Sequence, residues 1–233
     1  MKKIFYSLLG SFLLLLSVES INAQQNPAIQ TLFSEDFDDQ PINWQMIRSN
    51  TPVARPQFFH LETIVTKDRS FGAAVDSVGV RTESYLTAPS INVAGFTSVG
   101  LSFDHICYIE QFDDATVQYS FDNGTTWTRI PPSSYVGNRF YDWGQGDFKF
   151  SKFSSPLWPN NINNFVFQAN TSAWVREDFD LTPLITAAQS TSIMLRLALI
   201  DDVNSPIGGT GTHRWFVDNF RVLAADCEVI PPT

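Results

Sequence analysis

The stretch Ser120-Phe-Asp-Asn-Gly-Thr-Thr-Trp127 decides how this chain is read, because it joins two strand-like runs through a turn whose chemistry is legible residue by residue. Before it, Ala115–Phe121 alternates apolar and polar residues, and after it Thr125–Ile130 does the same. Period-two alternation on both sides of a turn is the signature of a β-hairpin. Asp122, Asn123 and Gly124 supply the turn: the carboxylate accepts N–H groups of its own loop, glycine takes positive φ, and Trp127 packs beneath the hairpin.

The same punctuation recurs outward from the hairpin. Strand-like runs lie at 32–37, 58–65, 71–76, 84–86, 98–109, 164–168, 174–180, 192–200 and 213–223, with turns at Asp39-Gln40-Pro41 and Ala94-Gly95. One segment, Thr182–Ala188, reads as helix, with Thr182 as N-cap and Pro183 at the first helical position. Many short strands and at most one short helix give an all-β expectation: a jelly-roll β-sandwich of two antiparallel sheets.

The first residues, with Lys2 and Lys3 ahead of a leucine-rich run and small or polar residues to Ala23, read as a signal peptide over 1–23. That run is shorter than the roughly 20 residues a membrane-spanning helix needs, so the mature chain is not expected to insert in a membrane. Residues 24–225 are expected to form the sandwich and 226–233 a proline-containing, linker-like tail; the protein would be secreted or held at the cell surface. The net charge is −9 at pH 7, and loss of Lys2, Lys3 and Glu19 with the leader makes it one unit more negative. That argues against nucleic acid as a partner and suits a hard cation such as calcium. Cys107 and Cys227 are the two cysteines; an exported chain permits their pairing, and a buried free thiol is the alternative.

Residues 131–163 break the rhythm. Proline, serine, glycine and asparagine give the composition of a long loop, yet it carries Tyr135, Phe140, Tyr141, Trp143, Phe148, Phe150, Phe153 and Trp158. So many rings argue against disorder, and long loops in compact domains are usually functional. Sugars stack their C–H faces on aromatic rings, so Trp143 and Trp158, supported by Tyr141 and Asp142, are the expected ligand-binding residues. The competing reading folds these rings back to staple the loop over one sheet.

Several other features resemble chemistry without its full signature. Glu110, Asp113 and Asp114 could hold paired carboxylates for glycoside hydrolysis, but the Glu-x-Asp-x-x-Glu pattern of concanavalin-type glucanases is missing. His60, His105 and His213 lie far apart in strand-like runs with no zinc-site spacing, and Asp104 beside His105 has no nucleophile elbow. Gly208–Gly211 lacks the strand and helix of a phosphate loop, and Asp201-Asp202 reads as a turn. No catalytic residues are expected.

The pattern Ser-x-Asp-x-Gly-x-Thr-Trp at Ser120–Trp127 matches an Asp-box, a motif that recurs once per blade in sialidase-like propellers; one copy without an internal period does not make a propeller. Longer stretches carry a second resemblance. LFSEDFDDQPINW (32–44) resembles the opening of secreted bacterial jelly-roll modules, ESYLTAPSINVAG (83–95) one of their middle strands, and VREDFDLTPLI (175–185) with IMLRLALIDD (193–202) their penultimate region. RWFVDNFRV (214–222) resembles their last strand. These are the MAM-like and cleaved-adhesin-like modules. Animal MAM domains carry four cysteines by family pattern, so two cysteines favour the adhesin-like branch. The resemblance implies a non-catalytic module for adhesion or carbohydrate binding, with a glycan or an extracellular protein as partner. It also implies a structural calcium where the first and last strands meet, carried over here onto Asp36, Asp38 and Asp218. The alternatives are a glycoside hydrolase or lyase of concanavalin-like fold and a structural protein-interaction domain at the bacterial surface.

Overall fold

The computed structural model describes residues 28–38, 44–48, 59–62, 70–75, 82–109, 112–140, 146, 148–158, 173–201 and 213–226. The strands are β1 Ile29–Glu35, β2 Gln45–Arg48, β3 Phe59–Glu62, β4 Ser70–Val75, β5 Thr82–Thr87, β6 Ile91–Asn92, β7 Ser98–Tyr108, β8 Asp114–Ser120, β9 Thr128–Arg129, β10 Val175–Asp180, β11 Ser192–Asp201 and β12 His213–Ala225; the helix α1 is Thr182–Ala188. Among the described residues they form two six-stranded antiparallel sheets. The first runs β10-β7-β12-β4-β3, with β1 also paired to β12; the second runs β2-β5-β11-β8-β9, with β6 beside β11. From β7 to β12 the chain crosses repeatedly between the sheets, giving a jelly-roll sandwich of the all-β class that the sequence predicts.

Alternation explains the layers. Along β10, Val175, Glu177 and Phe179 are buried while Arg176, Asp178 and Asp180 are exposed. Val99, Leu101, Phe103, His105 and Cys107 of β7 face the same interior, as do Leu195, Leu197 and Leu199 of β11 and Ala115 and Val117 of β8 from the opposite sheet. Burying such a side chain contributes about 1.5–3 kcal/mol, so this two-sided apolar layer dominates stability. Phe103 stacks on Phe179 and on Phe220, with ring centroids 5.9 and 6.2 Å apart. Cys107 is a free thiol at 0 % exposure, and burial raises its pKa well above the ordinary value; Cys227 lies outside the described residues.

β12 changes phase partway along. Trp215 and Val217 pair with Cys107 and His105 and face inward, whereas beyond Asp218 the inward residues are Phe220, Val222 and Ala224. A register shift between Asp218 and Arg221, with Asn219 at φ 49°, inserts the extra residue that makes the switch.

Three local expectations need correction. Thr182 is not the N-cap: Leu181 is, with no side-chain cap, while the Thr182 hydroxyl accepts the Val99 N–H at 3.0 Å and its own N–H goes to Asp180. The helix ends at Gln189, which adopts the left-handed conformation. The strand after the Ser120–Trp127 turn is only Thr128–Arg129, because the turn's hydrogen bonds hold residues 125 and 126. β2 and β6 carry no run long enough to have marked them as strands in the sequence.

Candidate functional site: an aromatic and arginine row on the outer sheet face

The residues of the second sheet that alternate with its core layer lie on its outer side. Cross-strand register sets them in rows: Thr87 opposite Arg196 and Arg196 opposite Gln118, then Tyr85 opposite Ala198 and Ala198 opposite Thr116. An arginine at the centre of the otherwise apolar run Ile193–Ile200 is therefore not a core residue; period two delivers it to the opposite face.

Arg196 lies between two rings. Its guanidinium carbon is 3.8 Å from the centroid of Tyr85 and 4.2 Å from that of Trp127, both cation–π distances. Its Nε donates to Gln118 Oε1 at 2.7 Å. Burial lowers the Arg196 pKa from its ordinary value, against the raising influence of Tyr85 and Glu83. The Tyr85 hydroxyl donates to Glu83 at 2.5 Å, fixing the ring. At the margin of the face, Asp114 accepts from Arg129 at 2.5 Å and from Lys149 at 2.7 Å.

The Ser120–Trp127 turn holds the other ring in place. Asp122 Oδ1 accepts the Ser120 hydroxyl at 2.7 Å and the Thr126 N–H at 2.8 Å, and Oδ2 accepts the Thr126 hydroxyl at 2.6 Å. These bonds, those from Thr126 foremost, pull the Asp122 pKa down to about 2. Asn123 and Gly124 take φ of 56° and 84°. A Cβ on Gly124 would lie 3.4 Å from the Trp127 ring and 3.6 Å from Met194 Sδ, both ordinary contact distances, so it is the positive φ rather than crowding that calls for glycine. The indole N–H then closes onto Gly124 O at 2.9 Å. Trp127 packs against its own turn, as the sequence reading expects, and its ring also reaches over the sheet to Arg196.

Some of the residues singled out from the sequence lie outside the described residues, and others are packed inside. Tyr141, Asp142 and Trp143 lie outside the described residues, as do Glu110, Asp202 and Gly208–Gly211. Trp158 is 2 % exposed, its N–H bonded to Ala173 O and its ring edge-on to His105 at 4.9 Å, so it offers no face to a ligand. Phe140 and Phe150 pack together at 4.9 Å against the core, and Tyr135 joins them; these rings staple inward, whereas Phe153 stays exposed.

That segment covers a buried polar network. His105 Nδ1 accepts the Trp215 indole N–H at 3.0 Å, and since an indole can only donate, His105 carries its proton on Nε2, facing Glu177 Oε1 at 3.1 Å. Burial holds His105 below its ordinary pKa against the raising effect of Glu177. Glu177 also accepts from the Tyr135 hydroxyl and from Arg139 at 3.4 Å; burial raises its pKa, but these donors and the His105 bond outweigh it and leave it lowered. Every carboxylate oxygen has a donor, which is the arrangement of a structural tie.

The expected calcium ligands do not form a closed set. Asp36 and Asp38 follow the end of β1, whose Glu35 pairs with Phe220, so both stand near the β12 bulge that carries Asp218. Asp36 accepts the Asp38 N–H and Asp218 the Asn219 N–H, and Arg221 lines the shallow pocket beside Glu35 and Asp36. Among the described residues no group of three or more histidine, cysteine, aspartate or glutamate side chains is arranged to hold a metal ion. The donor chemistry of these carboxylates suits calcium, and Arg221 is the cation that lines the same pocket.

No protein family matches the sequence, and no curated protein does. Solved structures do show related architecture. The K1 cleaved adhesin domain of Lys-gingipain from Porphyromonas gingivalis W83 is 12% identical, with 82% of this chain and 96% of that one covered at a TM-score of 0.37. The CBM22-1 xylan-binding domain of Paenibacillus barcinonensis Xyn10C is 8% identical over 86% and 98%, with a TM-score of 0.42. A mannan-recognising carbohydrate-binding module, TmCBM27, is 12% identical over 84% and 98%, with a TM-score of 0.40. Likeness at this level bears on neither ligand nor site. Among the described residues no helix is long and apolar enough to cross a membrane.

Proposed function

We propose that the protein is an exported, non-catalytic carbohydrate-binding or adhesion module whose binding face is the outer side of the second sheet. The observation that carries this reading is the Tyr85–Arg196–Trp127 stack, an aromatic and hydrogen-bonding surface in which strand register sets Tyr85 and Arg196 and the Ser120–Trp127 turn sets Trp127. Partly exposed rings offer apolar area to the C–H face of a sugar, while Arg196, oriented by Gln118, supplies N–H groups for its hydroxyls. Glycoside hydrolysis needs two carboxylates poised across the bond. On this face Asp114 is neutralised by two cations and Glu83 is held by a phenol, which favours binding over turnover.

A glycan array of the mature chain tests the proposal, with Trp127→Ala and Trp143→Ala beside wild type. Signals lost in Trp127→Ala and kept in Trp143→Ala support the sheet face; the opposite pattern moves the site to the aromatic segment. Signals absent throughout remove carbohydrate binding. Structural calcium at Asp36, Asp38 and Asp218 is a separate proposal, resting only on the nearness of the β1 end to the β12 bulge. A melting temperature unchanged by chelator would discard it.

A further inference from the structure

The guanidinium of Arg196 is prepared in more detail than a neutral sugar requires. Tyr85 and Trp127 flank it and Gln118 takes Nε, whereas Nη1 and Nη2 have no hydrogen-bond partner among the described residues. What stays open to a ligand is the edge of the fork, two parallel N–H groups whose spacing matches the two oxygens of a carboxylate. The acids on the same face do not fill it: Asp114 is paired with Arg129 and Lys149, and the Tyr85 phenol engages Glu83, which makes no ion pair with Arg196. A second observation is independent of the arginine. Thr87, directly opposite Arg196 in register, and Thr116, one row further along, are 1 % and 2 % exposed, and neither hydroxyl oxygen has a partner. Both hydroxyls are covered within the chain and do not themselves reach a ligand; an unpaired polar layer beside the arginine distinguishes this face from an apolar packing face.

We propose that this site recognises an acidic sugar, a hexuronic acid residue of a polysaccharide, through its carboxylate across Nη1 and Nη2 of Arg196. The proposal rests on the carbohydrate-binding reading and narrows it to a ligand class. The chain's net charge of −9 opposes a polyanion, but at physiological salt the screening length is about 8 Å, so distant acids are damped and the local fork decides.

Affinity electrophoresis or calorimetry at physiological salt would use polygalacturonate, the same polymer after carboxyl reduction, a neutral xylan and dextran sulfate. Wild type is expected to bind polygalacturonate and to lose at least tenfold in affinity on carboxyl reduction. Arg196→Lys, which keeps the charge but not the fork, should lose a similar factor at an unchanged melting temperature. Equal binding of the native and reduced polymers, or of neutral xylan alone, overturns the acidic-sugar proposal and leaves the carbohydrate reading standing. Binding of dextran sulfate without polygalacturonate overturns it also, since a carboxylate is then not what is read. Binding to none of the four removes both. The carboxyl-reduction arm uses wild-type protein, so it decides even where Arg196→Lys fails to fold.

Discussion

Two polar and aromatic groups occur in this sandwich, and they are put to opposite uses. Inside, His105, Glu177, Trp215, Tyr135 and Arg139 form a network in which both imidazole nitrogens and both oxygens of the acid have partners. Outside, Arg196 is clasped by two rings and one amide, yet keeps two nitrogens uncommitted. A satisfied network fixes a segment in place, and an unsatisfied one at a surface waits for a partner. Burial alone would nominate the inner group, because the histidine and glutamate resemble an active site more than the arginine does; their satisfied bonds are those of a structural tie.

The sharpest way to break the comparison is to remove one anchor from each group. Glu177→Ala leaves the His105 Nε2–H and the Tyr135 hydroxyl without an acceptor, and each buried polar group so stranded costs about 1–3 kcal/mol. Urea denaturation should show that loss, with Tyr135 and its neighbours freed to quench differently. Arg196→Met gives up two cation–π contacts and the bond to Gln118, about 1–2 kcal/mol together and less than the loss in Glu177→Ala, while removing ligand binding. Equal stability losses in the two variants would erase the distinction.

Acid should separate them next. His105 is held below its ordinary value of 6.5, so below that pH the unfolded chain binds a proton that the folded one resists. Stability is therefore complete above about pH 6.5 and declines as pH falls through and below it. Protonation would also set an imidazolium N–H against the Trp215 indole N–H. His105→Gln should flatten that part of the profile, and a wild-type melting temperature constant from pH 7 to 5 would contradict it.

A smaller effect links the turn to the outer face. Asp122 titrates at about 2 in the folded chain against an ordinary 3.8, so its contribution is present above about pH 4 and lost as pH falls toward 2. Asp122→Ala should remove that acid dependence. Because the same turn aims Trp127 at Arg196, it should also weaken ligand binding, an outcome the sequence did not foretell. Smallest of all, Gly124→Ala forces positive φ on a residue with a Cβ 3.4 Å from the indole, for about 1 kcal/mol in melting experiments.

The pattern of legibility follows from what alternation encodes. Period two placed β7, β8, β10, β11 and β12 within a residue or two of their ends, and the turn residues gave the hairpin outright. Alternation says that two faces exist but not which strands lie side by side, so Tyr85, Gln118 and Arg196, spread across three strands, could not be seen as one site. The signal that was present is an arginine inside an eight-residue apolar run. Glu177 likewise occupies an inward position of Val-Arg-Glu-Asp-Phe-Asp, an acid in the apolar phase, which marks a buried partner before any coordinates exist. At Trp158 ring content identifies a packed position without saying toward which side it packs; Trp158 packs inward.

The phase change in β12 records one residue more than a regular strand needs at that point. Before Asp218 and after Arg221 the strand carries two correct hydrophobic patterns that are out of step by one. Excising Asn219 alone would bring the two halves into step, so that a strand without the bulge still turns Trp215, Val217, Phe220, Val222 and Ala224 inward. Substitution there leaves the mismatch for the bulge to absorb, whereas deletion removes it. In drift, this segment can lose that one residue and keep both hydrophobic patterns.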